Sequence, residues 1–368
     1  MKIAFNEAAL KPQRHKKELI KVFTSVIDSG IFLRGSQNEL LLKNLQRYLK
    51  NPFVIFTSSG HSALQSAVTS LFLKPTDEVI FPVNSYPTAF PIALSRAKPV
   101  PVDVDENGLI NPQKIEEKIS KNTKAIVIVH LYGLVADINK IKNIIKNKKI
   151  ILIEDCAQAF GSFYKGKPVG AYGDISCFSF YPTKNLATLG DGGALWTKHK
   201  KLYQYFKKAV SYGENKRYQS EFVAGHSRLP ELQAAVLNVY LKTINREIER
   251  KKAIREEYFD YLKYFKLETF IRPLFHKKNS SPNLHLLEVE VKKRDQLKDY
   301  LMKKGIETSL HYPLPIHLVP AFFYLKYKRG SFPVAERLSR NILSLPFHSY
   351  LTKNHVHYII KALREFYA

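Results

Sequence analysis

From about residue 53 the chain repeats one unit, a short uninterrupted apolar run followed by a stretch with helical spacing. The runs are "FVIFTSS", "DEVIFPVNS", "KPVPVDVD", "KAIVIVHLYG", "KIILIEDCA", "DISCFSF" and "GGALWT", with "HSALQSAVTSLFL" and "INKIKNIIKNK" among the segments between them. A strand with one wet face alternates apolar and polar residues, whereas a strand covered on both faces does not. Continuous Val, Ile, Leu and Phe therefore predict a mainly parallel sheet with helices on both faces, a doubly wound α/β domain.

After residue 228 the pattern changes. Leu232, Ala235, Val236 and Val239 mark one face of a helix expected to run long and carry the chain out of the sheet domain. A smaller α+β region is expected beyond it, with a strand "LHLLEVEV", a helix "KRDQLKDYLMKKG", the Pro-rich "LHYPLPIHLVPAF" and two closing helices around "LSLPFHSYLTKNH". The expected organisation is a large domain over 1–245, including the N-terminal segment, and a small C-terminal domain over 246–368.

Composition excludes several classes. With 368 residues, 45% of them hydrophobic, the chain can bury a large core. The N-terminus carries no continuous apolar leader, and the longest apolar run, "AIVIVHLYGLVADI", is too short and too polar to span a bilayer, so cytoplasmic residence without a membrane partner is expected. Cys156 and Cys177 suggest neither a disulfide framework nor a metal site. The net charge of +26 invites a nucleic-acid reading. Lys and Arg are nevertheless spread over helix faces and mixed with Glu, and no nucleic-acid motif accompanies them. A basic solvated surface that draws in anionic small molecules is the stronger reading, and no nucleic-acid partner is expected.

In parallel sheets ligands gather at the carboxyl ends of strands, and three such ends converge. "TSSGHSAL" opens a helix at Gly60, where backbone N–H groups and the hydroxyls of Ser59 and Ser62 can cradle a phosphate or simply cap the helix. "IEDCAQ" ends a buried run on Asp155, whose carboxylate needs a cation: a protonated ring nitrogen, or a structural ion pair. "FSFYPTK" ends on Ser179 and Lys184, and an ε-amine in an apolar pocket loses proton affinity and becomes nucleophilic. Lysine, aspartate and a phosphate cradle form a matched set for pyridoxal 5'-phosphate.

The residues that carry this set also resemble the sugar-nucleotide aminotransferases of the DegT/StrS type, within the type I fold of pyridoxal phosphate enzymes. The match is densest in "EDCAQAFGSFYKGKPVGAYGDISCFSFYPTKNLATLGDGGALWT", and continues in "SRLPELQAAVL" and "YPLPIHL…FPVAERL…LSLP". The resemblance implies that Lys184 holds the cofactor and moves protons, Asp155 pairs with the pyridinium, Gln158 bonds the ring hydroxyl and Tyr86 stacks on the ring. Gly60, His61 and Ser179 fall where the phosphate is held. It further implies a homodimer with shared sites, in which His226 reaches the partner subunit's cofactor phosphate. His226 stands where asparagine is usual and His61 where threonine is common. Arg228 would contact an anionic substrate or fix its loop. His311, Tyr312 and His317 lie where relatives meet the sugar nucleotide, with His317 the better candidate.

The implied activity is transfer of an amino group from L-glutamate to a nucleotide-linked keto-6-deoxy sugar, 3- or 4-keto and dTDP- or UDP-type, by way of pyridoxamine 5'-phosphate. Two alternatives accompany it. A related sugar dehydratase would carry histidine in place of the imine lysine, against Lys184. A non-catalytic basic binding protein on the same fold would have no use for Lys184, Asp155 and Gln158.

Overall fold

The computed structural model describes residues 1–275 and 279–368. All seven apolar runs are strands: β1 (Val54–Thr57), β2 (Glu78–Pro82), β3 (Lys98–Val102), β4 (Thr123–Val129), β5 (Ile151–Asp155), β6 (Ile175–Ser179) and β7 (Gly193–Thr197). They form one sheet in the order β1-β7-β6-β5-β4-β2-β3. Pairing is parallel from β6 through β5, β4 and β2 to β3; β7 alone runs antiparallel to both its neighbours, β1 and β6.

Burial on both faces explains the uninterrupted runs. Along β4, Ile126 and Ile128 enter one hydrophobic core with Ile80, Val100 and Leu152, whereas Ala125 and Val127 enter a second with Val79, Phe81 and Ile153. At about 25 cal/mol per Å² of apolar area, a polar residue on either face would cost burial energy with no return. Helices α1 (Gly60–Thr69) and α2 (Tyr86–Leu94) each begin within a few residues of a strand's carboxyl end.

The expected long helix is two helices, α3 (Glu231–Leu241) and α4 (Ile244–Tyr264). The break arises because the N–H groups of Lys242 and Thr243 bond the carbonyls three residues back, on Val239 and Tyr240, which tightens the chain into a turn. The boundary expected after residue 245 falls in the first turn of α4. Beyond it, β8 (Ile271–Pro273), β9 (Leu287–Val291) and β10 (Ile342–Leu345) form an antiparallel sheet, and Ile254, Tyr258, Val289, Leu343 and Ile360 share a third core. Thus "LSLP", expected between two helices, is itself mostly strand, flanked by helices Pro333–Asn341 and Lys353–Tyr367.

The N-terminal segment departs from its expected place with the large sheet. Ile3 forms a parallel bridge with Ile306, the carbonyl of Phe5 accepts from the Phe347 N–H at 3.2 Å, and Glu7 accepts from the Ser349 hydroxyl at 2.9 Å. The first residues therefore belong to the C-terminal region by contact, and only the following helices pack beside α3.

Candidate active site

The carboxyl ends of β5 and β6 and the start of α1 open on one cavity of about 490 Å³. Its wall includes Gly60, His61, Asp155, Gln158, Ser179 and Lys184, so six of the expected cofactor residues meet in space. Tyr312 joins them from the C-terminal region, together with Phe5 and Glu7 from the N-terminal segment.

Lys184 follows the end of β6 in a turn closed by its own N–H on the Tyr181 carbonyl at 2.8 Å. The side chain is half-buried in accessible area, yet its amine sits deep among protein atoms; desolvation holds it down at about 8, partly offset by the Asp155 charge. Asp155 is almost fully buried, and burial raises its carboxyl above the ordinary range. Four groups oppose that rise: the Thr88 hydroxyl, donating to Oδ2 at 2.7 Å, the Ala157 N–H, donating to Oδ1 at 3.1 Å, and the charges of Lys184 and His130. A carboxylate held this way, with no ion pair among the described residues, suits a protonated ring nitrogen as its remaining partner.

Gln158 is fixed by the Tyr132 N–H, which donates to its Oε1 at 2.5 Å; its amide reaches the Tyr312 hydroxyl at 3.4 Å. At the other end of the cavity, Ser59 caps α1 by accepting the Ser62 N–H at 3.0 Å. The helix start therefore keeps its first N–H groups free of intrahelical bonds. Gly60 presses against Ser179: a Cβ there would lie 2.5 Å from the Ser179 Cβ. Free N–H groups, a positive helix end and the Ser179 hydroxyl in one corner match the demands of a phosphate, so the residues present fit pyridoxal phosphate at both of its ends.

Other expected residues stand elsewhere. Tyr86 is exposed at the start of α2, its ring 6.2 Å from that of Tyr312, and its neighbour Pro87 lines the cavity. Ser62 and His226 line an adjoining recess of about 230 Å³, which shares His61 with the main cavity. His226 is exposed and packs edge-on to Tyr212 at 5.2 Å. Arg228 donates to the Ser211 hydroxyl at 2.9 Å, away from the main cavity, a contact that holds its loop.

His317 stands apart from the cavity. The ring is fully buried, with Nε2 3.0 Å from Glu336 and the ring plane edge-on to Phe332 at 4.8 Å, and it does not reach the cavity. A short helical turn at Ile316–Leu318 directs it into the second core, and His311 takes the place at the cavity wall. Sequence reasoning also missed Thr88, two positions beyond Tyr86, and His285, Lys251 and Glu7, which line the cavity from distant segments. Thr88 lay within reach as a polar residue beside an assigned one; a buried Glu7 and Lys251 left no signal among the chain's many charges.

Comparison with known proteins agrees with this geometry. The model of the DegT/DnrJ/EryC1/StrS aminotransferase family matches residues 13–364. The dTDP-3-amino-3,4,6-trideoxy-alpha-D-glucose transaminase of Streptomyces venezuelae is 35% identical over 342 residues, 92% of this chain and 89% of the relative. The crystal structure of S. venezuelae DesV superposes with a TM-score of 0.95 at 33% identity, covering 99% of this chain and 98% of that one. A sugar aminotransferase from Streptococcus pneumoniae, solved in a PMP form, gives 0.88 at 26% identity, over 99% and 97% of the two chains. The chain belongs to the DegT/DnrJ/EryC1/StrS aminotransferase family, and it is an aminotransferase with the type I fold of pyridoxal phosphate enzymes.

Proposed function

We propose that the protein transfers the amino group of L-glutamate to a nucleotide-linked keto-6-deoxy sugar, using pyridoxal phosphate held by Lys184, Asp155, Gln158 and the Gly60–Ser179 corner. The observation that carries this reading is the meeting of a weakly basic Lys184, a buried Asp155 and a free helix N-terminus on one cavity. When bound, the cofactor supplies an electron sink for the carbanion left by loss of a proton from the donor's Cα.

The residues divide the remaining work. Asp155, oriented by Thr88 and the Ala157 N–H, keeps a ring nitrogen protonated. Lys184, with its amine near 8, is partly free of its proton at neutral pH and can take the Cα proton on Nζ and return it. Gln158 aligns the ring edge, and Ser179 with the α1 N–H groups anchors the phosphate. Tyr86, beside the cavity-lining Pro87, is the residue that would stack on the ring.

His226 and Ser62 extend this reading to a homodimer. His226 stands exposed on a loop beside Val223, and Ile27, Ile31, Phe32 and Leu33 are exposed apolar residues on the N-terminal helices and their connection. A second copy would cover these residues and receive His226 at its phosphate corner. No helix among the described residues is long and apolar enough to cross a membrane.

Protein charged with pyridoxamine phosphate and mixed with a panel of nucleotide keto sugars tests the assignment. Return of the pyridoxal absorbance with one sugar identifies the acceptor. No response from any nucleotide sugar, beside a normal response to 2-oxoglutarate, refutes the acceptor class.

A further inference from the structure

His311 is held at the cavity wall by an arrangement that its surroundings do not require for packing. Its Nδ1 lies 2.8 Å from the Ser344 hydroxyl oxygen, and that hydroxyl donates to Oε1 of Glu288. Glu288 Oε1 is also 3.5 Å from His311 Nδ1, and the Glu288 side chain is fully buried. Glu288 and Ser344 are directly paired across β9 and β10, and Ser344 exchanges backbone bonds with Ser309 at 2.9 and 3.2 Å, so three extended segments bring the groups together. The Phe5 ring stacks on the imidazole at 5.9 Å and the Tyr132 hydroxyl donates to the His311 carbonyl at 2.6 Å.

The protons in this chain can be assigned. The Ser344 hydroxyl donates to Oε1 of Glu288, so its single proton is committed there. The Ser344 oxygen must then accept from Nδ1–H of His311. In the neutral ring this leaves the lone pair on Nε2, which has no hydrogen-bond partner among the described residues and belongs to a ring lining the cavity.

We propose that Glu288 and Ser344 are positioning residues that fix His311 as the Nδ1–H tautomer, so that Nε2 accepts a hydrogen bond from a hydroxyl of the sugar. The specificity consequence, which rests on the keto-sugar reading above, is a preference for substrates that present a hydroxyl donor at that wall over deoxygenated ones. Burying a carboxylate whose Oε2 finds no hydrogen-bond partner among the described residues is costly, and a fold that needed only packing there would be served by an apolar side chain.

The test uses the holoenzyme labelled with [15N]histidine, with His311→Gln identifying the resonances of His311. The expected result is the Nδ1–H tautomer in the wild type, lost in Ser344→Ala and in Glu288→Leu and retained in Ser344→Thr. In parallel, KM for the nucleotide keto sugar rises roughly three- to tenfold in Ser344→Ala and recovers in Ser344→Thr. An Nε2–H tautomer in the wild type, or one unaffected by Ser344→Ala, overturns the relay. A confirmed tautomer with unchanged KM overturns its part in sugar recognition. Because the tautomer is read without substrate, a failure of the relay is distinguishable from a failure of the keto-sugar assignment.

Discussion

The Thr88 hydroxyl donates to Oδ2 of Asp155 at 2.7 Å and is itself 2.7 Å from the Ser85 hydroxyl oxygen, so the start of α2 supports the carboxylate at the end of β5. Both residues are buried, and the bond works against the rise in Asp155 proton affinity that burial imposes. Thr88→Val keeps the shape and removes the donor. A buried hydrogen bond to a charged group contributes about 1.5–3 kcal/mol, so the variant is expected to lose about tenfold or more in cofactor affinity. Titration of the apoprotein with pyridoxal phosphate measures it; unchanged affinity would show that Thr88 is idle.

Lys184 ties both activity and stability to pH, and both rise as its amine loses its proton. Its amine binds a proton less tightly in the folded chain, at about 8, than at its ordinary 10.5. Between those values the unfolded chain binds more protons, so this residue makes folding stability rise with pH through the window, and the gain is lost as pH falls through 8. Lys184→Met therefore abolishes transamination while raising the apoprotein Tm at pH 7, with the difference shrinking towards pH 10.5. Thermal melts across that range check the sign.

Gly60 is required by closeness rather than by backbone angle. Alanine suits a helix interior better than glycine, so Gly60→Ala would stabilise α1 if space allowed. The 2.5 Å approach to the Ser179 Cβ forbids it without movement of the phosphate corner. The expected result is a loss of about tenfold or more in cofactor affinity, read by titration of the apoprotein with pyridoxal phosphate; unchanged affinity would argue against the contact.

His317 provides the contrast. Its Nε2 bond to Glu336 is buried, and burial lowers its proton affinity despite that carboxylate. His317→Leu is expected to cost about 1–3 kcal/mol of stability, read from urea unfolding, by leaving Glu336 one donor short. KM for the nucleotide sugar stays as in the wild type; a change confined to KM would return His317 to the substrate.

Much of this was legible in the sequence because burial on two faces writes itself as unbroken apolar runs, and because Asp155, Ser179 and Lys184 interrupt such runs at their ends. Strand direction leaves no comparable mark: "GGALWT" reads like its neighbours, yet β7 is antiparallel to both. The turn at Lys242–Thr243 was hidden because neither residue is a helix breaker. His311 and His317 share one Pro-rich stretch, and only the packing of Ile316 and Phe332 decides which of them faces the cavity. The N-terminal contribution was invisible for another reason: Phe5 and Glu7 acquire their roles from partners more than 300 residues away.

Those remote partners bear on how the chamber is completed during synthesis. Ile3, Phe5 and Glu7 leave the ribosome some 300 residues ahead of Ile306, Phe347 and Ser349, to which they attach. The large sheet can assemble while translation continues, but one wall of the chamber stays open until the closing strand β10 and the residues just after it are free.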